Sequence, residues 1–326
     1  MLKFIDKILH VARSRYNNLH RTQEHKHHIK PQLCSDIIYN TLSQDKPCMI
    51  ARFGLVELSC LINYIGIKER KINPVTFIRG ETQAWWWTHK TKHEMINNAG
   101  FFPISSSMLS QFSELLLKDI SEIDILASWI KSERIIAPML DSATKIFLPY
   151  LEPYHAIRPW SRYLAGKNVL VVHPFASQIR AQYAMHRTNL FENPEVLPDF
   201  NLHVLPAIQS IGGENNGFDT WFDALDYMKR EMDKIDYDIC IIGCGAYGFH
   251  LAAHAKRMGK KAIHMGGATQ LLFGIKGNRW EDPMYGVKEW GLPEGLYTTM
   301  FNEYWIKPGK EGRPQNAEKV EGACYW

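Results

Sequence analysis

Residues 237–248 read YDICIIGCGAYG, an apolar run that is followed at once by closely spaced glycines. A short apolar run bounded by turn residues is typical of a strand buried in a parallel sheet. The next residues, FHLAAHAKRMG at 249–259, have the pattern of a helix that Gly259 ends. The stretch therefore predicts a strand, a glycine turn and a helix in direct succession.

The same succession recurs on both sides of this unit. Three further apolar runs predict strands, and each is separated from the next by a helical pattern. They are AGKNVLVVHPF at 165–175, LHVLPAIQS at 202–210 and KKAIHMGG at 260–267. Strands that alternate with helices at this spacing predict an α/β fold, here a Rossmann-like parallel sheet with helices on both faces.

The chain before residue 160 has a weaker pattern. PCMIARF at 47–53 predicts a short buried strand, and residues 75–150 have a mostly helical pattern with aromatic interruptions. Prolines crowd residues 149–159, where they disfavour continuous helix. We expect three parts: a basic amphipathic helix and linker at 1–30, a helix-rich α/β half at 31–160, and the Rossmann-like half at 161–326.

The N-terminal segment carries most of the excess charge. Residues 1–30 contain seven Lys or Arg against two Asp or Glu, although the whole chain has a net charge of only +4. Residues 2–16 have the pattern of an amphipathic helix, which suits peripheral contact with an anionic membrane. Packing of the same helix on the protein's own body, or on a second subunit, is the alternative.

Composition restricts the class of protein. No apolar run reaches the ~20 residues of a membrane-spanning helix, and the basic residues do not spread over a domain face as nucleic-acid binding requires. The six cysteines form no CxxC pair, so we expect reduced thiols. The prediction is a cytoplasmic protein that meets the inner face of the plasma membrane and binds no nucleic acid. The sequence leaves the oligomeric state open.

Glycines at 243, 245 and 248 match the G-x-G-x-x-G spacing of dinucleotide-binding turns. Such glycines let a phosphate approach the backbone at a helix N-terminus. NAD and S-adenosylmethionine sites usually have an acidic residue at the end of the next strand, where this chain has His264. The alternative is that the glycines serve only a tight turn between strand and helix.

Other candidate ligand residues follow the predicted strands, where ligands of parallel sheets bind. His173 is a candidate acid–base, or else a strand-end histidine bonded to backbone. Lys276 and Arg279 are candidates to neutralise a diphosphate, or else part of a surface loop. The remaining candidates are Ser177, Gln209, Gly266 and Gly267.

In the first half, ARFGLVELSC at 51–60 is the segment most suggestive of a site. Arg52 ends the predicted strand, Gly54 permits a sharp turn, and Glu57 lies in the first turn of the next helix. A structural ion pair between Arg52 and Glu57 is the alternative to a ligand-binding role.

IARFGLVEL at 50–58 resembles the RFGDGE-type segment of GT-D fold glycosyltransferases, which occur in bacterial polysaccharide and glycoprotein gene clusters. The stretch CGAYGFHLAAHAKRMGKKAIHMGGATQLLFGIKGNRW at 244–280 and the ending NEYWIKP…NAEKVEGACYW resemble a related group from similar clusters. The resemblance implies a UDP-sugar donor and a divalent metal, Mn²⁺ or Mg²⁺, at an Asp-x-Glu pair. Glu57 takes the Glu position, but Leu55 stands at the Asp position and cannot ligate a metal.

The sequence thus predicts a glycosyltransferase that moves a sugar from a nucleotide diphosphate to a cell-surface glycan or a lipid-linked acceptor. Glu57 and His173 are the predicted catalytic residues, and Glu57 is the one candidate metal ligand. The alternatives are an S-adenosylmethionine-dependent methyltransferase of surface glycans and a non-catalytic nucleotide-binding or scaffold protein of polysaccharide assembly.

Overall fold

The computed structural model describes residues 2–19, 30–210, 217–309, 313, 317–319 and 322–326. Seven strands form one parallel sheet in the order β3-β2-β1-β7-β6-β4-β5. Their bounds are β1 Cys48–Ala51, β2 Ile125–Ser128, β3 Thr144–Phe147, β4 Asn168–His173, β5 Asn201–Pro206, β6 Ile239–Ile242 and β7 Lys261–His264. The predicted Rossmann-like α/β fold is confirmed.

Helices connect these strands. They are α1 Leu2–Leu19, α2 Pro31–Leu42, α3 Leu55–Glu69, α4 Pro74–Ile78, α5 His89–Asn97, α6 Ser106–Ile120, α7 Ala176–His186, α8 Trp221–Asp233, α9 Tyr247–Arg257, α10 Thr269–Leu272, α11 Asn278–Glu281 and α12 Val287–Trp290. A 3-10 helix, Lys131–Leu140, follows β2.

Each face of the sheet is buried in its own core. Side chains alternate along β4, so that Leu170 and Val172 join the core under α3, α6, α8 and α9. Val169 and Val171 join the opposite core, with α2, α7 and the C-terminal segment. Burial on both faces explains why the strands are continuous apolar runs rather than alternating ones.

The predicted halves share this single sheet. Strands β1–β3 come from residues 31–160 and β4–β7 from 161–326, and they join where Met49 of β1 pairs with Ala262 of β7. Residues 75–150 were predicted to be mainly helical, but they also contain β2 and β3. Each of these strands has four residues, as β1, β6 and β7 do, but neither is followed by the glycine turn that marks those three strands in the sequence.

The predicted N-terminal helix is present as α1 and packs on the protein's own body next to α4. Asp6 is 7% exposed and accepts hydrogen bonds from the Trp86 indole Nε1 at 3.1 Å and from the His89 backbone N–H at 3.2 Å. Residues 20–29, which belong to the predicted linker, lie outside the described residues.

All six cysteines lie in the described ranges, where they are buried and form no disulfide.

Among the helices that the structure describes, none has the length and hydropathy needed to cross a bilayer.

Candidate functional site

The carboxyl end of β1 positions an arginine whose hydrogen bonding is incomplete. Arg52 follows the last residue of β1 and donates through Nη1 to the Phe53 carbonyl at 3.0 Å. Its guanidinium carbon lies 5.5 Å from the centre of a Trp129 ring. The Nε atom is buried, and no described residue accepts from it. A buried donor without a partner costs free energy, so a ligand oxygen at this position would stabilise the site.

Glu57 lies close to this arginine in sequence, in the first turn of α3, where the helix dipole favours a carboxylate. Its side chain folds back over Gly54, the N-cap residue, and occupies the space where a Cβ would stand. Gly54 is therefore required for the observed position of the Glu57 carboxylate. The structure gives Arg52 contacts with Phe53 and Trp129. The ion pair with Glu57, which was the alternative to a ligand-binding role, is not among them.

The three glycines after β6 play different roles. Gly243 is enclosed, since a Cβ there would lie 2.6 Å from the Gly266 carbonyl oxygen and 2.7 Å from the His173 Cδ2 atom. Gly248 in α9 is packed against the His264 ring of β7. Gly245 alone faces open space, and its φ of +57° is one that residues with side chains rarely adopt. Of the three, only Gly245 leaves its backbone open to a ligand.

Gly266 and Gly267, after β7, permit close approaches by other parts of the chain. A Cβ on Gly266 would lie 3.2 Å from the Arg52 Nε atom, and one on Gly267 would overlap the Tyr325 ring. The ends of β1 and β7 and the C-terminal segment thus meet around Arg52. These glycines admit the protein's own side chains, so their predicted contact with a ligand stays a prediction.

A small cleft opens between α3, α6 and α9 at this edge of the sheet. It is lined by Phe53, Gly54, Glu57, Leu116, Gly245, Ala246, Phe249, His250 and His264. The residues from β1, β6 and β7 come from strands that are neighbours in the sheet, so their carboxyl ends converge. The cleft brings the predicted residues Gly54, Glu57 and Gly245 together.

One lining residue, His250, belongs to a buried pair that was not predicted from the sequence. His250 Nδ1 lies 2.6 Å from Asp119 Oδ2, and its other ring nitrogen, Nε2, is buried with no partner among the described residues. The sequence signal was a polar residue on each buried helix face, Asp119 in α6 and His250 in α9. Because the two residues are 131 positions apart, no local pattern related them.

His173 is a strand-end histidine bonded to backbone, which was the alternative to an acid–base role. It is 3% exposed, and its Nδ1 accepts a hydrogen bond from the Phe175 backbone N–H at 3.0 Å. Burial lowers the pKa of His173 to about 3, and its ring fills the space beside Gly243, away from the residues that line the cleft. A neutral, enclosed imidazole is poorly suited to exchange protons with a substrate, so we do not retain His173 as a catalytic residue.

The remaining predicted residues lie outside the cleft. Ser177 is exposed in the first turn of α7, and Gln209 is half-buried after β5, next to residues 211–216, which lie outside the described residues. Lys276 Nζ lies 3.4 Å from Glu281 Oε1. Arg279 donates to the Cys324 Sγ atom at 2.7 Å, and its guanidinium lies 4.5 Å from the centre of the Tyr325 ring.

Aromatic side chains from distant segments gather beside Arg52. Trp129 donates through Nε1 to the Phe53 carbonyl at 2.9 Å, and its ring meets that of Trp290 at 6.3 Å between centres. Tyr285 in turn contacts Trp290 at 5.4 Å. These partly exposed rings provide surfaces on which a nucleobase or a sugar can stack.

The donor set does not fit a resident divalent metal. Glu57 is a single carboxylate, and Leu55, at the position of the expected aspartate, is 53% exposed. Within the described ranges, no group of three or more His, Cys, Asp or Glu side chains is arranged to hold a metal ion. Mg²⁺ and Mn²⁺ prefer several oxygen ligands, and Glu57 alone supplies too few of them.

None of the family models, curated proteins or solved structures that were compared with this chain matches it.

Proposed function

We propose that this protein is a glycosyltransferase that uses a nucleotide diphosphate sugar, with UDP-sugar as the first candidate donor. The observation that carries the proposal is the arginine at the end of β1. The Nε atom of Arg52 is buried without a partner beside Gly266, and Glu57 lies at the same edge of the sheet. A cation with an unused donor next to a carboxylate suits a diphosphate joined to a sugar.

Each residue has a stated role in this proposal. Arg52 binds a phosphate oxygen of the donor, and the open backbone at Gly245, two residues before α9, binds a second one. Glu57 accepts a hydrogen bond from a hydroxyl group of the sugar, or takes the proton of the acceptor hydroxyl as general base. Trp129 stacks on the nucleobase or on the sugar. The acceptor is a cell-surface glycan or a lipid-linked glycan.

A methyltransferase that uses S-adenosylmethionine is the second candidate, because Gly243 and Gly245 lie between β6 and α9 and Gly248 lies in the first turn of α9. The strand β7 ends at His264, whose ring is enclosed against Gly248. A carboxylate that would bind the ribose hydroxyl groups is therefore missing from that strand end. This observation favours the nucleotide diphosphate over S-adenosylmethionine.

A thermal-shift series with the intact protein tests the proposal. UDP, UDP-sugars, GDP, S-adenosylmethionine and NAD are each added with and without Mn²⁺. A ligand at about 100 times its Kd stabilises the folded state by roughly 2.7 kcal/mol, which is easily measured. We expect a nucleoside diphosphate to raise the Tm and S-adenosylmethionine and NAD to have no effect. Stabilisation by S-adenosylmethionine alone would replace the proposal with the methyltransferase.

Two variants locate the effect and separate binding from catalysis. Arg52→Met should abolish the shift produced by UDP, whereas Glu57→Gln should keep it but remove most of the sugar transfer. Lys145→Met, at an exposed position of β3, is the matched control and should retain both properties. Full transfer by a well-folded Glu57→Gln variant would contradict the role given to Glu57. UDP binding without transfer by the unmodified protein would favour a scaffold role.

A further inference from the structure

A second cavity, of about 310 Å³, lies between α1, α3, α4, α5 and the 3-10 helix Lys131–Leu140. It does not include any residue that lines the small cleft around Glu57. The two are neighbours, because α3 contributes Glu57 to the cleft and Ser59, Ile62 and Asn63 to the cavity. We call the second one the cationic cavity, because Arg13, Lys90, Lys131 and Arg134 are among its lining residues.

Four cations line the cationic cavity, against a single carboxylate. Arg13 comes from α1, Lys90 from α5, and Lys131 and Arg134 from the 3-10 helix, while Glu94 is the one acidic residue among the lining residues. Side chains from three separate elements thus bring positive charge to one concave surface. A cleft lined by one sign of charge concentrates ions of the opposite sign, so the composition favours an anion.

Two of these cations, Lys90 and Arg13, are only partly neutralised by the contacts that the structure gives them. Lys90 reaches Glu94 at 3.8 Å, and its side chain is 74% exposed; such a pair contributes little. Arg13 donates to the Thr82 carbonyl at 3.1 Å and stacks on Phe77 at 4.7 Å, contacts that hold its guanidinium in the cavity wall. These contacts, and a third with Gln83 Oε1 at 3.4 Å, are with neutral groups, so Arg13 contributes positive charge to the cavity.

The wall around Asn63 adds a polar and rigid surface. Asn63 Oδ1 accepts from the Thr88 backbone N–H at 3.1 Å and from the Thr91 hydroxyl at 3.0 Å. Thr88 is the N-cap of α5, and the first turn of that helix contains no acidic residue. The Asp6 carboxylate accepts from the first backbone N–H of this helix, that of His89, and so offsets the partial positive charge of the helix end. Ile62, Phe77 and Ile135 supply the apolar part of the lining.

We propose that the cationic cavity binds a phosphate-bearing ligand of the size of a phosphorylated sugar or a phospholipid headgroup. Its volume is at the lower end of the range for small-molecule sites, and the cations Arg13, Lys90 and Arg134 suit a phosphoryl group that carries more than one negative charge. The proposal does not depend on glycosyl transfer, since it concerns a different cavity. If the protein is a glycosyltransferase as proposed, we expect this cavity to bind the phosphate of the acceptor.

Isothermal titration with inorganic pyrophosphate and with glucose 1-phosphate tests the proposal. An excess of UDP is present so that the proposed donor site at Arg52 and Glu57 is filled. The test variant is Lys90→Ala/Arg134→Ala, which removes two exposed cations and no buried contact. We expect pyrophosphate to bind the unmodified protein and the double variant to bind it about tenfold more weakly or worse. The Arg52→Met variant should bind it as the unmodified protein does.

Lys118→Ala/Lys145→Ala is the matched control, because it removes the same charge at exposed positions outside the cavity. An equal loss of affinity in the control would mean that the net charge alone attracts phosphate, and would overturn the proposal. Loss of binding in Arg52→Met but not in the cavity variant would also overturn it. No binding of either phosphate, nor of vesicles that contain phosphatidic acid, would do the same.

The source of the phosphate is distinguished by the same variants. Binding of glucose 1-phosphate that the cavity variant loses supports a soluble phosphorylated sugar. Binding of phosphatidic acid vesicles that the same variant loses, without binding of the soluble phosphates, supports a lipid headgroup. The transferase proposal is tested separately, by the Tm shift that UDP produces and by the loss of this shift in Arg52→Met.

Discussion

His250 and Asp119 form a buried pair: the His250 Nδ1 atom lies 2.6 Å from Asp119 Oδ2, and both side chains are 1% exposed. Asp119 also forms an ion pair with Arg257, whose Nη2 atom lies 2.6 Å from Asp119 Oδ1. The pair joins α6 to α9 beneath the cleft that contains Glu57. A carboxylate this deeply buried is stable only while its partners remain.

Replacement of Asp119 should therefore be costly. We expect Asp119→Ala to lower the free energy of unfolding by about 3–5 kcal/mol, because it leaves His250 and Arg257 without their buried acceptor. Urea unfolding measures the effect. Asp233→Ala is the matched control, since it breaks another Asp–His pair, with His254 at 2.8 Å, whose carboxylate is 37% exposed; there we expect about 0–1 kcal/mol. Equal costs at the two positions would contradict the importance of burial.

Gly54 offers a test of how Glu57 is positioned. Gly54→Ala places a methyl group where the Glu57 carboxylate now lies, and the backbone at Gly54 is extended, with φ −75° and ψ 142°, which alanine adopts without strain. The flexible carboxylate should move, at a cost to stability of less than about 1 kcal/mol. If Glu57 is catalytic, sugar transfer should fall as strongly as in Glu57→Gln.

Gly245→Ala serves as the comparison for this variant. The added methyl group meets nothing within 4 Å, but φ is +57°, so the backbone is strained. We expect a loss of about 1 kcal/mol in stability. Unchanged transfer in a folded Gly54→Ala variant would show that the observed position of the Glu57 carboxylate is not needed.

Stability should decrease in acid because of two buried histidines. Burial lowers the pKa of His173 and of His264 to about 3, from 6.5. Between these values the unfolded chain binds a proton at each histidine and the folded protein does not, so the free energy of unfolding rises with pH. The contribution approaches roughly 1.4 kcal/mol per pH unit for each histidine well below pH 6.5, and is complete above that pH.

Unfolding by urea at several pH values between 4 and 7 measures this dependence. His173→Gln should reduce its slope, whatever the variant does to stability at pH 7. His93→Gln, at an exposed position of α5, is the control and should keep the slope of the unmodified protein. An unchanged slope in His173→Gln would mean that His173 is protonated in the folded state.

The exposed face of α1 is the predicted membrane contact. Asp6, His10 and Arg13 face the protein, with Asp6 bonded to Trp86 and His10 stacked edge-on against Phe77 at 5.3 Å. Ile8 and Val11 remain 50% and 45% exposed. Exposed apolar residues beside basic ones suit the surface of an anionic membrane. We expect co-sedimentation with anionic but not neutral vesicles, and weaker binding at high salt.

The variant Ile8→Ser/Val11→Ser should lose vesicle binding without a change in stability, because both side chains already contact water. Ile157→Ser, at a residue that is 86% exposed elsewhere on the surface, is the control and should bind as before. Vesicle binding that survives the α1 variant, or a protein that binds no vesicles at all, would contradict the prediction.

Local order along the chain was determined by the sequence alone. The strands β4 to β7 and the helices between them were predictable because apolar runs, helical periodicity and glycine turns are properties of neighbouring residues. For the same reason Gly54, Glu57 and Gly245 were recognised as candidate site residues in the segments that follow strands. The strands β2 and β3 were missed because no glycine turn follows them, whereas one follows each of the equally short β1, β6 and β7.

Only the tertiary structure decided which strand ends meet. The order that places β1 beside β7 results from long-range pairing, such as Met49 with Ala262, and this pairing brings Arg52 to Gly266. The same packing enclosed His173 behind Gly243 and joined His250 to Asp119 across 131 residues. A residue's burial and partners depend on elements far away in the chain, and no local pattern contains them. Local sequence therefore selected the candidates, and packing decided which of them share the cleft.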